Sequence, residues 1–166
     1  MERYPVDLLL LGWLVQSKSD FRADLLVAFP LVEIEEEQLL AKANGFLEAE
    51  TIRDVLAGAT WNELSFEECF RLHDCLWMLT SSAVKAFLPA LLLSCYPPPE
   101  GDVLFQSLCS WLGTEYLSDC REFFGDLSEE QSASVVKWLG LAMAAQDDEA
   151  IRARIQRSLA TCWGTR

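Results

Sequence analysis

The sequence has few basic residues and a single histidine. Its 166 residues include 13 Lys or Arg against 26 Asp or Glu, so the net charge is −13 at pH 7. The basic residues are also scattered, whereas binding to nucleic acid phosphates requires a concentrated positive surface. We therefore expect a partner other than DNA or RNA.

No apolar run is long enough to cross a membrane. The N-terminal run from Leu8 to Val15 is far shorter than the roughly 18 residues that a membrane-spanning helix needs. Glu2 and Asp7 precede this run and no Ala-x-Ala cleavage site follows it, which disfavours a secretory signal peptide. We expect the run to form a buried first helix, and we expect no membrane partner.

The sequence motifs of common catalytic sites are also missing. There is no GxSxG, HExxH or GxGxxG, and no glycine loop that could hold a phosphate. The lone His73 is followed by Asp74, but adjacent helical residues point about 100° apart, so Asp74 cannot readily orient the imidazole. We predict that the chain is not an enzyme and has neither catalytic residues nor a cofactor.

The six cysteines do not form a CxxC pair, and most of them lie in apolar runs, where Cys behaves as a small hydrophobe. Cys69 and His73 are four residues apart on a predicted helix and could face one metal ion, whereas Cys75 points elsewhere. Further ligands would have to come from a distant part of the chain, such as Cys95 or Cys109. We predict no metal site, six free thiols and a cytoplasmic chain.

Signals for helix ends recur along the chain, whereas the alternation typical of strands is hard to find. No internal repeat of roughly 20 to 50 residues is present, which disfavours a solenoid. We therefore predict an all-α protein of seven to nine helices that form a single compact domain over residues 1–166. The predicted helices of the first half are Phe21–Phe29 after Asp20, a run from Glu33 to Gly45, a helix with Ile52, Val55 and Leu56 on one face, and a helix from the Ser65–Glu68 capping box to Leu79.

The segment Ala83–Tyr96 is apolar almost all round and should be the central buried helix, capped by Thr80 or Ser81 and kinked at Pro89. The proline-rich loop 97–101 then joins two helical subdivisions. The predicted helices of the second half are Val103–Leu112, Glu115–Phe124, a helix after the Ser128–Gln131 capping box, and a last helix capped by Asp147 or Asp148. Four arginines lie in the last stretch, where we expect them near helix C-termini or paired with acidic residues.

Two segments taken together resemble a known group of proteins. One is Leu79–Leu93, which carries Phe-Leu-Pro-Ala within a helix, and the other is Phe124–Gln131, which leads into a helix with Trp138 and Leu139. With Trp61 upstream and an acidic first half, this order over residues 33–145 resembles a family of small, uncharacterised, all-helical bacterial proteins associated with the immunity proteins of toxin systems. The resemblance implies a helical fold and a protein-binding function, and it implies no catalytic residue.

Acidic residues are concentrated between Glu33 and Asp74. This segment holds 11 Asp or Glu against Lys42, Arg53 and Arg71, a net charge of −8. Because 51% of the chain is hydrophobic, we expect these charges on a folded surface, where they steer a basic protein and are relieved when it binds. The alternative is a solvated face that only keeps the protein soluble. The predicted partner-binding residues are Glu33, Glu36, Glu37, Glu48, Glu50, Asp54, Glu63, Glu67, Asp74 and Trp61.

Tryptophan is abundant, with six residues in the chain. Trp77, Trp111 and Trp138 lie within helical apolar stripes and are predicted to be core residues. Trp61 and Trp163 flank predicted helix ends and are predicted to be partly exposed. An exposed tryptophan beside carboxylates would be a good interface anchor, because Trp is enriched at binding hot spots.

Together these features favour an immunity or inhibitor protein that neutralises a basic cognate toxin through an acidic surface. Electrostatic steering would give fast association, and aromatic anchors would give slow dissociation. The alternative function is that of a secretion chaperone or adaptor for an effector protein, a class that commonly forms mixed α/β dimers. A thiol or metal-dependent enzyme is the third candidate.

Overall fold

The computed structural model of the chain describes residues 16–40, 47–99 and 103–164. Within these ranges the protein is all-α, as predicted, with eight α-helices, three short 3-10 turns and no β-strand. The helices are α1 (Lys18–Ala28), α2 (Leu47–Leu56), α3 (Phe66–Phe70), α4 (Ser81–Ser94), α5 (Val103–Leu112), α6 (Leu117–Phe124), α7 (Glu129–Ala145) and α8 (Glu149–Thr161). The 3-10 turns are Glu36–Gln38, Trp61–Glu63 and Leu76–Met78. The run from Leu8 to Val15 lies outside the described residues.

Helix α1 begins earlier than the sequence analysis predicts. Ser17 rather than Asp20 is its N-cap, because the Ser17 hydroxyl accepts a hydrogen bond from the Asp20 backbone N–H at 3.1 Å. The helix ends at Ala28, and the backbone is already extended at Phe29 before Pro30.

The acidic run after Glu33 is not the helix that its composition predicts. Residues 31–35 form no regular secondary structure, and only Glu36–Gln38 makes a 3-10 turn. The Leu39 carbonyl accepts a hydrogen bond from the Thr80 backbone N–H at 3.2 Å, and Leu40 forms an isolated bridge with Leu79. Pairing with a distant part of the chain thus replaces helical hydrogen bonds here, and residues 41–45 lie outside the described ranges.

Helix α3 ends at Phe70 instead of continuing to Leu79. Buried residues of this segment recur at intervals of three, at Cys69, Leu72, Cys75 and Met78, and a second pair with the same interval is Leu76 and Leu79. The backbone N–H groups of Leu72, Cys75 and Met78 follow the same interval, because each bonds to the carbonyl three residues earlier. A 3-10 helix has three residues per turn, so this spacing favours tight turns over a continued α-helix.

Helix α4 is buried on most of its surface. Nine of its 14 residues are buried, including Pro89. The Thr80 hydroxyl caps the helix by accepting a hydrogen bond from the Ala83 backbone N–H at 3.0 Å. The helix packs against α1, α3, α6 and the Trp61 turn, and it starts and ends two residues earlier than predicted.

The caps of the second half agree with the sequence analysis. Ser128 and Gln131 form the predicted capping box of α7, and Asp148 caps α8. Helix α5 has the predicted bounds, and α6 begins at Leu117 instead of Glu115. Helices α7 and α8 pack on each other, and α7 also contacts α1 and α5.

Cys120 and Cys162 form a disulfide between α6 and the end of α8, so the prediction of six free thiols is wrong. Their Cα atoms are 5.9 Å apart, as in natural disulfides. Aromatic packing brings the two helix ends together, because the Phe124 ring lies 5.1 Å from the Trp163 ring. The remaining cysteines are buried and lie outside the disulfide; they are Cys69, Cys75, Cys95 and Cys109.

The arginines of α8 bind the ends of neighbouring helices. Arg154 donates hydrogen bonds to the carbonyls of Ser110 and Gly113 at the end of α5. Arg152 donates to the Gln146 carbonyl just after α7, and Arg157 pairs with Glu115 at 2.7 Å. Arg152 and Arg154 thus place positive charge at helix C-termini, where it is favourable, and Arg157 is paired with an acidic residue. These contacts account for the local excess of arginine.

One continuous hydrophobic core joins the parts of the chain on either side of Pro97. Tyr96 stacks on Phe21 with ring centroids 4.2 Å apart, and the Trp138 indole donates to the Cys95 carbonyl. Among the described helices, none has both the length and the apolar character needed to cross a bilayer.

Candidate protein-binding surface

The acidic residues singled out from the sequence lie on the surface of the protein. Eight of the nine carboxylate side chains are exposed, and Glu48 is half-buried. The helix dipole accounts for the positions of Glu48 and Glu50, because both lie in the first turn of α2, where the dipole favours negative charge.

Most of these carboxylates lie on or beside helix α2. The Glu36 carboxylate lies 3.3 Å from the Arg53 guanidinium of α2, and Glu37 lines the same shallow depression. The Asp54 carboxylate lies 3.6 Å from the Arg71 guanidinium, which connects α2 to the turns after α3. We call the carboxylates around this helix the α2 acidic surface; they are Glu36, Glu37, Glu48, Glu50, Asp54 and Asp74.

The structure does not bring the other three predicted carboxylates into this surface. Glu63 is engaged at the start of the Trp61 turn, where its carboxylate accepts a hydrogen bond from the Thr60 backbone N–H at 2.9 Å. That bond lowers the pKa of Glu63. Glu33 and Glu67 are exposed, and neither makes an ion pair with any described residue.

Trp61 is a core residue, which corrects its prediction as a binding residue. It is 1% exposed, and its indole N–H donates to the Phe29 carbonyl at 3.2 Å. A capping box between Thr60 and Glu63 turns the side chain inward. This Thr-x-x-Glu motif is visible in the sequence and is the signal that the sequence analysis missed.

Trp77 and Trp163 also differ from their predictions. Trp163 is 3% exposed and donates to the Leu112 carbonyl, so it belongs to the core. Trp77, predicted as a core residue, is 48% exposed. Its indole N–H donates to the Asp74 carbonyl at 3.1 Å, which fixes the ring on the surface beside the α2 acidic surface.

A groove of about 370 Å³ opens between α2 and the turns that follow α3. We call it the aromatic groove; its lining residues are Leu47, Glu48, Thr51, Phe70, Arg71, His73 and Asp74. The Phe70 ring lies 5.1 Å from His73 and 6.0 Å from Phe66, which continues the aromatic strip along α3. Sequence reasoning did not identify this groove.

The buried cysteines Cys69 and Cys75 are not arranged for thiolate chemistry. Burial raises the pKa of Cys69 to about 11, so its thiol is protonated at neutral pH. Burial, with added effects of Asp74 and Glu48, raises the pKa of Cys75 to about 12. The His73 ring contacts its own turn through a 2.8 Å hydrogen bond between Nδ1 and the Phe70 carbonyl. The described residues contain no group of three or more side chains that could hold a metal ion.

Comparison of the chain with protein-family models, with curated proteins and with solved structures finds no match in any of the three.

Proposed function

We propose that this chain is an immunity or inhibitor protein that binds a basic toxin protein and neutralises it. The observation that carries the proposal is the α2 acidic surface, on which carboxylates from three separate segments of the chain meet. The resemblance of Leu79–Leu93 and Phe124–Gln131 to bacterial immunity proteins supports the same function.

The electrostatics of the surface support a basic protein as the partner. Two of the six carboxylates, Glu36 and Asp54, are paired with Arg53 and Arg71. The other four make no ion pair with any described residue and are open to a partner; they are Glu37, Glu48, Glu50 and Asp74. Concentrated charge of one sign repels itself and accelerates association with a complementary surface. It also repels nucleic acid, which is why we propose a protein partner.

The two other candidate functions have less support. The described residues contain no strand, whereas secretion chaperones commonly combine strands with helices. A thiol enzyme needs a reactive thiolate, and the raised pKa values of Cys69 and Cys75 oppose it. A surface that binds a protein requires neither feature.

Cytoplasmic location is part of the proposal, and the cysteines bear on it in two ways. The four buried thiols outside the disulfide agree with a reducing compartment, whereas the disulfide between Cys120 and Cys162 is typical of an oxidising one. Rapid alkylation of intact cells before lysis, completed on the denatured protein, would distinguish the two compartments. Six alkylated cysteines would support the cytoplasm, and four would place the folded protein in an oxidising compartment.

The proposed function is tested with the reading frame directly upstream of this gene. Its product, expressed alone, should arrest bacterial growth, and co-expression of this chain should restore it. A variant with Glu36, Glu37 and Glu50 each changed to Lys should restore growth poorly. The matched control changes Glu122, Glu129 and Asp147 to Lys, which alters the net charge equally on the other half of the chain.

The control variant should protect as well as the wild type. Equal protection by both variants, with both folded by circular dichroism, would refute docking on the α2 acidic surface. An upstream product that is harmless, or that this chain neither binds nor neutralises, would contradict the toxin-inhibitor function itself.

A further inference from the structure

The aromatic groove exposes apolar side chains that a monomeric protein would ordinarily bury. Of its lining residues, Leu47 is 80% exposed and Phe70 is 36% exposed. Phe66, whose ring lies 6.0 Å from the Phe70 ring, is 43% exposed. Trp77, beside the groove, is 48% exposed. Large apolar residues grouped around a concave site typically mark a place where another molecule binds.

The groove is also negatively charged. Glu48 and Asp74 line it from opposite sides, one from α2 and the other from the turns after α3. Among the described lining residues, the one guanidinium or ammonium group is that of Arg71, and it lies 3.6 Å from the Asp54 carboxylate.

The exposed rings are held in place before anything binds. The Trp77 indole is fixed by its hydrogen bond to the Asp74 carbonyl, and His73 is fixed by its bond to the Phe70 carbonyl. Preorganised side chains lose little conformational entropy on binding, which raises affinity. Aromatic faces also attract cations, and Trp does so most strongly.

We propose that the aromatic groove holds an arginine side chain of the partner protein together with an adjacent large apolar residue. The guanidinium lies between Glu48 and Asp74 and against the Trp77 ring, while the apolar residue covers Phe70 and Leu47. Charge complementarity selects this occupant over a second copy of the chain, because two acidic grooves repel each other. The inference rests on the proposed function and assigns the groove as the anchor within the α2 acidic surface.

The experiment uses a short capped peptide of alternating leucine and arginine, and a twin in which citrulline replaces arginine. The indole N–H signals of the full chain are followed by NMR, and the signal of Trp77 is identified from its loss in Trp77→Phe. We expect the arginine peptide to shift the Trp77 signal saturably. The citrulline twin, which keeps the shape but not the charge, should bind about tenfold more weakly.

Isosteric substitutions of the groove carboxylates test which charges bind the arginine, because they remove the charge and keep the shape of the side chain. Glu48→Gln combined with Asp74→Asn should weaken the arginine peptide about tenfold and leave the citrulline twin unchanged. The control pair, Glu122→Gln with Asp147→Asn, should change neither. Phe70→Ala should weaken both peptides, because it removes the apolar floor of the groove.

Equal affinity for the two peptides, or shifts confined to indoles other than Trp77, would overturn the assignment. The assignment would also be overturned if the variant with Glu48 and Asp74 changed still neutralised the toxin and dissociated from it at an unaltered rate. The inhibitor function would stand in that case. Conversely, selective binding of the arginine peptide without any neutralised toxin would support the groove and refute the inhibitor function.

Discussion

The burial of Trp61 gives the sharpest prediction about stability. Trp61→Phe removes the indole N–H that bonds to the Phe29 carbonyl, at a site where Trp61 is 1% exposed and Phe29 is fully buried. A buried carbonyl left without its donor costs about 1 to 3 kcal/mol. The smaller ring also gives up buried apolar area and leaves a small void, which adds about 1 kcal/mol. We therefore expect the free energy of unfolding to fall by about 2 to 4 kcal/mol.

The assay is urea denaturation followed by far-ultraviolet circular dichroism. The midpoint should fall while the slope with urea concentration stays unchanged, because the mutation alters stability and not the surface exposed on unfolding. Thermal unfolding should show a fall in Tm of roughly 5 to 15 °C, using the scaling for a domain of this size.

Trp77→Phe is the matched control, since Trp77 is half-exposed and its indole bonds to a surface carbonyl. It should cost less than about 1 kcal/mol. The two variants should differ in the opposite sense in binding, because Trp77→Phe should lower the affinity for the partner and Trp61→Phe should leave it unchanged. A stability loss below about 0.5 kcal/mol for Trp61→Phe, or a loss of binding in a folded Trp61→Phe protein, would refute the burial argument.

Three further predictions follow from the fold. Thiol titration of the denatured, unreduced protein should find four free thiols, and six would contradict the disulfide. Replacing both disulfide cysteines, by Cys120→Ala with Cys162→Ala, should lower the free energy of unfolding by about 2 to 4 kcal/mol. Ser128→Ala should cost about 1 kcal/mol in urea denaturation, because the Gln131 backbone N–H loses its acceptor; a Ser134→Ala control on the exposed face should cost less. Hydrogen bonds from the Ser65 backbone N–H and hydroxyl hold the pKa of Glu68 below its ordinary 4.5, so they stabilise the fold fully above pH 4.5 and less as the pH falls through the folded-state pKa. Glu68→Gln should therefore reduce the loss of stability at acid pH, and an unchanged profile of stability against pH would contradict this role of Glu68.

Local signals in the sequence predicted the helix starts well. Ser65, Thr80, Ser128 and Asp148 each cap the helix that the sequence analysis gave them, because capping depends on residues within three positions of each other. The all-α class followed from these signals and from the lack of strand alternation.

Features that depend on distant contacts were not predictable in the same way. Leu39 bonds to Thr80, which prevents the acidic run after Glu33 from continuing as a helix. The disulfide joins cysteines separated by 42 residues, and no local pattern pairs Cys120 with Cys162. Trp61, predicted to flank a helix end, lies in a 3-10 turn and is buried. Trp77, predicted to lie in an α-helical apolar stripe, lies in another 3-10 turn and is exposed.

The site was predicted in part. The sequence indicated exposed carboxylates, and six of the nine lie around α2. It could not indicate the aromatic groove, because Leu47 and Phe70 meet only when α2 packs beside the turns after α3.

The central claim is that the α2 acidic surface binds a basic protein, and the association rate of the purified upstream product tests it most directly. The rate constant should fall steeply as salt rises from low to physiological ionic strength, where exposed charges are screened beyond about 8 Å. Changing Glu36, Glu37 and Glu50 to Lys should lower it about tenfold or more and flatten its salt dependence, while the dissociation rate changes little. An unchanged association rate and salt dependence in this variant, with the protein still folded, would contradict the account.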